Sequence, residues 1–249
     1  MTLWRLEWLR LARTRRLVAL LCTYAFFGLA GPLTARYLAE ILRAVGTEGV
    51  QVQFPEPTPA DGIAQFVSNA SQIGLLVVVL VAASALAFDA RREMAVFLRT
   101  RVSSVRSIVL PAYGTTTAGA VAGLLVGSAC AWYETTVLLG APPAGAMLAG
   151  IAYGAVSLAF AVALVAFMAA LVRSVLAAAG SALIVLLLTG VLGSATQTSR
   201  WLPTGLLGAL ADVTAGRPAG DYLPGLAVTL ALIALALTGA VLLGDRREL

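Results

Sequence analysis

The chain has 249 residues, 60% of them hydrophobic and 12% charged, against roughly 45–50% and about 25% in soluble domains, so its main solvent is lipid rather than water. Its net charge of +5 comes from arginine alone, because the sequence contains no lysine and no histidine. Without lysine there is no phosphate-binding P-loop, and without histidine no histidine triad, HExxH zinc site or imidazole proton relay, so catalysis on this chain is not expected.

In chain order, residues 2–16 predict an imperfectly amphipathic helix with Trp4, Trp8 and Leu11 on one face and Glu7, Arg10 and Arg13 roughly opposite. Such an elbow helix lies in the membrane interface, its indoles anchoring it and its arginines facing anionic lipid or a cytoplasmic partner. The plainer alternative is a topology signal only.

Crossing about 30 Å of hydrocarbon takes about 20 apolar residues, and six stretches qualify: 17–41, 66–88, 108–132, 146–172, 174–195 and 223–244. The fold class is therefore all-α, a polytopic membrane protein with no room for a soluble domain between spans. The first span could imitate a signal peptide, but five similar segments follow it and no small-residue cleavage site ends it, so it is read as retained. Leu21 ahead of Cys22 argues against a lipidation site, and Cys22 and Cys130 read as small hydrophobes within apolar runs. Gly31-Pro32 predicts a kink, and GAPPAG at 140–145 a break between spans three and four. Arg173 alone separates spans four and five, which predicts a tight antiparallel hairpin. Outer segment 43–65 reads as a proline-stiffened loop. In the other outer segment, 196–222, the semi-apolar piece after Pro203 predicts an interfacial or re-entrant helix.

Orientation follows from arginine. With both termini cytoplasmic, thirteen of the seventeen arginines fall inside and seven of the twelve acidic residues outside.

The longest inner segment is 89–107, DARREMAVFLRTRVSSVRS. Met94, Phe97 and Leu98 fall at i, i+3 and i+4, and Val102 and Val105 extend the stripe, so a short helix there would bury one face in a protein groove and present charge elsewhere. A plain solvated loop is the alternative. This segment resembles the loop between spans two and three of type-2 ATP-binding cassette permeases: an acidic residue (Glu93), an apolar run (VFL at 96–98) and a hydroxylated turn (Thr100 to Ser104). Where that family commonly shows Gly-Thr after the acid and Pro before the turn, this chain has Met94-Ala95 and Arg101. Length, span count, elbow helix and long outer segment before the last span fit the same family.

The resemblance implies a coupling helix docking onto a separate ATP-binding cassette ATPase subunit, present in two copies and carrying ATP and Mg. Asp89, Arg91, Arg92, Glu93, Met94, Phe97, Leu98, Arg99, Thr100 and Arg101 would make that contact, the charged members holding orientation while Phe97 and Leu98 fill a groove. It further implies a second copy or a paralogous permease as partner, and export from a bacterial cytoplasmic (inner) membrane. No cofactor on this chain and no nucleic-acid partner are expected.

Gly119, Gly123 and Gly127 form a GxxxGxxxG ladder in span three, and Gly150 and Gly154 repeat the spacing in span four. Such faces permit close helix contact, either within the subunit or at a permease dimer interface or substrate path. No ionisable residue lies near the middle of any predicted span, unlike most ion-coupled transporters. That points to an external energy source and an apolar or amphipathic cargo, with a secondary transporter or channel, or a non-transporting scaffold, as alternatives.

Overall fold

The computed structural model describes residues 3–45, 56–88, 104–172, 174–195 and 201–246, with the side chains of 39, 41–45 and 192–195 left aside. All regular structure among the described residues is helical. Five helical segments are long and apolar enough to cross a membrane, beginning at Arg16, Pro59, Arg106, Ala144 and Ala219.

Helix α1 (Leu3–Arg13) is followed by a two-residue turn at Thr14 and Arg15. Arg15 adopts a left-handed φ of 59°, and the Thr14 hydroxyl donates to the Arg10 carbonyl at 2.6 Å, so the chain stops one helix and restarts another at once. Helix α2 (Arg16–Val45) then runs through Pro32 without interruption. At about 1.5 Å per residue its 30 residues span about 45 Å.

The second span begins earlier than expected. Helix α3 (Pro59–Asn69) starts inside the stretch read as a proline-stiffened loop, because Pro59 sits in its first turn and Thr58 and Asp61 form a capping box. The Thr58 amide donates to the Asp61 carboxylate at 2.8 Å, satisfying a donor that a bare helix start leaves open. A π turn over Ala70–Gly74 joins α3 to α4 (Leu75–Leu86).

Helix α5 (Arg106–Leu138) has 33 residues, or about 50 Å, and exceeds a bilayer core. Gly140, with φ 107°, makes the turn that carries the chain past Pro143 into α6 (Ala144–Leu171), which is the break expected at GAPPAG. Helix α7 (Val175–Ala195) packs back against α6. It is 21 residues long, and its apolar stretch runs Val175–Val191. Helix α8 (Gly205–Thr214) occupies the semi-apolar piece after Pro203, and a 3-10 turn at Ala219–Tyr222 leads into α9 (Leu223–Asp245).

Helix α6 is the hub, packing against α4, α5, α7, α8 and α9. Its centre is buried all round, from Ser157 and Leu158 through Phe160 to Ala166, whereas only 11% of the best apolar window of the last span is covered. A helix that is apolar on every side but mostly exposed has lipid, not protein, as its natural neighbour.

The glycines explain how the helices approach. A Cβ at Gly127 would lie 2.6 Å from the Tyr24 carbonyl oxygen, and one at Gly123 would lie 3.2 Å from the Tyr24 ring, so this ladder receives α2. Gly119 faces Leu11 of α1 and Leu20 of α2. Gly150 and Gly154 lie against Leu210 and Leu207 of α8, Gly154 also meeting Leu124 of α5. Gly31, which the sequence marks only as part of a kink with Pro32, is also a point of close approach: a Cβ there would stand 2.8 Å from the Phe66 backbone nitrogen. Its role is therefore the close crossing of α2 and α3 beside Pro32.

Candidate functional site

One feature lies at the arginine-rich end of the bundle. The residues implied to couple to an ATPase, Asp89, Arg91, Arg92, Glu93, Met94, Phe97, Leu98, Arg99, Thr100 and Arg101, lie outside the described residues. The two points from which that segment departs and to which it returns are described, and both are held by other helices. Arg16, at the start of α2, donates to the Ser84 carbonyl at 3.3 Å. That carbonyl belongs to the last turn of α4, where a cation also complements the helix dipole. On the return side, the Val105 amide donates to the Asp245 carboxylate at 3.3 Å, so the end of α9 caps the start of α5. Gly244 makes room for this contact, since a Cβ there would stand 2.6 Å from a methyl of Val105. Between the two anchors, Leu86, Phe88, Val105 and Val109 close over Ala166 and Ala169 of α6 around a void of only about 10 Å³.

The α1 helix departs from its expected arrangement. Trp4 is 54% and Trp8 48% exposed, while Leu11 is buried. Trp4 lays the far edge of its ring over Gly114. Glu7 and Arg10 do not sit opposite the apolar face: their side chains are only 14% and 22% exposed and pair at 3.5 Å. At about 100° per residue Glu7 falls only about 40° from Leu11, so burying Leu11 draws Glu7 in with it, and the ion pair offsets its desolvation. Arg13 remains exposed.

A second feature lies toward the opposite end. A cavity of about 550 Å³ opens between the π turn and α4 on one side and α7 on the other, floored by Ser157 and Ala161 of α6. The π turn brings Ser71 and Gln72 to its wall; such turns are frequent at functional sites. Among the described residues its lining has no ionisable side chain. The Ser71 hydroxyl donates to the Val67 carbonyl at 2.7 Å, and Ser157 to the Pro203 carbonyl at 3.1 Å, so both hydroxyls have partners in the backbone. What remains for a ligand is mainly apolar surface, including exposed Leu76, Leu187 and Val191 at the mouth.

No protein-family model and no curated protein sequence matches this chain. Residues and geometry alone carry the functional reading.

A polar clasp holds the segment above the cavity. Tyr222 donates to the Asp212 carboxylate, which also receives Arg217 at 2.8 Å. Arg217 further donates to the Tyr222 hydroxyl at 3.3 Å. That bond, and then the charge of Asp212, raise the guanidinium above its ordinary range, so Arg217 stays charged. Tyr153 of α6 stacks near Tyr222 with centroids 5.6 Å apart and donates to the Ala219 carbonyl at 2.8 Å. With Leu206, Leu207 and Leu210 buried beneath it, this clasp fixes α8 on α6. Periodicity reveals the apolar face of α8. The clasp had no such signal, because its residues lie on two elements and pair only once the chain has folded.

Proposed function

We propose that the chain is the permease subunit of an ATP-binding cassette exporter, with six spans and both termini cytoplasmic in a bacterial inner membrane. It acts beside a second copy or a paralogous permease. Two copies of a separate ATPase subunit bring ATP and Mg. The cavity carries this reading: it is large, its described lining is uncharged, and it lies between α4 and α7 of a chain that lacks the lysine of a P-loop. A site whose described lining has no ionisable group has none to carry a coupling proton, and suits an apolar or amphipathic compound. In this reading α7, the fifth helix in order to cross, brings the spans to six, and α1 is the elbow at the arginine-rich inner face.

The anchors at Ser84 and Val105 support the proposed route for energy. A partner gripping Glu93, Phe97 and Leu98 would pull on a segment whose ends are tied to α2 through Arg16 and to α9 through Asp245. Movement there would be passed to the first and last spans together, rather than absorbed as local fraying.

The test is reconstitution with a candidate ATPase subunit in vesicles loaded with an amphipathic dye. Dye movement should require ATP on the side of residue 103, and single cysteines placed at Ser103 and Thr58 should label from opposite faces. Dye movement that follows an ion gradient without ATP would replace this reading with a secondary transporter, and same-face labelling would remove the six-span topology.

A further inference from the structure

Helix α9 leaves a groove against α5 that no described part of the chain fills. It encloses about 410 Å³ between Leu110 of α5 and a run on α9 that includes Ala234, Leu237, Thr238 and Val241, with Arg106 at its arginine-rich end. Ala234 and Thr238, one turn apart, form a shallow trough. The Thr238 hydroxyl donates to the Ala234 carbonyl at 2.7 Å, so the trough's one polar side chain is satisfied within its own helix and the surface offered outward is apolar. From Ala234 to Leu242 the groove follows about 12 Å of helix.

The charge at its end is unanswered. Arg106 is exposed and makes no ion pair or hydrogen bond among the described residues. Of the described carboxylates at this end of the bundle, Asp245 accepts from the Val105 amide and Glu7 pairs with Arg10, and neither pairs with Arg106. Arg246, also exposed, adds a second cation beyond the last turn of α9. A lipid offers the complement in one molecule, an acyl chain for the trough and an anionic phosphate for the guanidinium.

We propose that the α5–α9 groove is a binding site for an anionic phospholipid, its acyl chain along Ala234 and Thr238 and its phosphate on Arg106. This rests on the chain spanning a membrane with its arginine-rich face at the headgroups, and not on any coupling to an ATPase.

Native mass spectrometry of the detergent-purified full chain, titrated with dioleoyl phosphatidylglycerol and with dioleoyl phosphatidylcholine as the neutral probe, tests it. The anionic lipid should bind more tightly. Arg106→Gln should weaken it about fivefold, the worth of one arginine near an anionic headgroup, and leave the neutral lipid unchanged. Arg106→Lys should restore most of the difference, and Thr238→Phe, which fills the trough, should weaken both lipids. Unchanged phosphatidylglycerol binding in Arg106→Gln would overturn the site. So would competition by glycerol phosphate, which would assign Arg106 to free phosphate, or loss of a two-copy species in Thr238→Phe, which would assign the groove to a chain–chain contact.

Discussion

Gly127→Ala lowers the melting temperature of the detergent-purified protein by about 2–12 °C, and Gly127→Leu prevents recovery of a monodisperse protein. The added methyl would stand 2.6 Å from the Tyr24 carbonyl oxygen and 2.9 Å from its carbonyl carbon. Both are backbone atoms of α2, so no side-chain rotation relieves the overlap and the two longest helices must separate along their main contact. Overpacking of this kind costs about 1–3 kcal/mol, and each kcal/mol shifts the midpoint of a chain this size by about 2–4 °C. Gly180→Ala in α7 is the matched control, since its Cβ would meet nothing within 4 Å. There the gain in helix propensity, up to about 1 kcal/mol, should leave stability equal or higher. Equal losses at both positions would show that the effect is helix propensity or expression rather than the α2–α5 crossing.

Gly190→Trp abolishes transport without unfolding the protein. Gly190 lies on the cavity wall and a Cβ there meets nothing within 4 Å, so an indole can extend into the 550 Å³ space without displacing the backbone. Exposed substitutions away from packed contacts usually change stability by less than about 0.5 kcal/mol, so thermal midpoint and elution profile should match the parent. Dye movement should fall to the level of empty vesicles, while Gly190→Ala stays near the parent. Full activity in Gly190→Trp, with an unchanged melting curve, would move the substrate path away from this cavity.

The all-helical class was legible in the sequence because apolar runs and composition are local properties. So was the helix after Pro203, whose face of Leu206, Leu207 and Leu210 follows helical spacing. Ends were less legible. The start of α3 was hidden because VQVQFPEPTPADG carries prolines that read as a loop, although Pro59 and the Thr58 and Asp61 cap are start signals. The arrangement of α1 was less legible, because Glu7 and Arg10 read as the face opposite Leu11. In the fold these two side chains pair and are well covered, while Trp4 and Trp8 stay exposed. The glycine ladder announced close packing but not its partner; only the fold shows α2 seated on Gly123 and Gly127. The anchors through Arg16 and Asp245 join positions 68 and 140 residues apart, which no spacing rule reaches.

The central claim is that energy enters through residues 89–107 from a separate ATPase, and affinity capture tests it most directly. The tagged full chain is co-expressed with an ATPase subunit encoded beside it, extracted in detergent and purified in parent and Glu93→Ala forms. The account predicts that the ATPase co-purifies with the parent at one ATPase per permease, that Glu93→Ala loses most of it, and that both permeases keep the same melting curve. A parent that never retains the ATPase, or a Glu93→Ala variant that retains it and transports at the parent rate, would contradict the account.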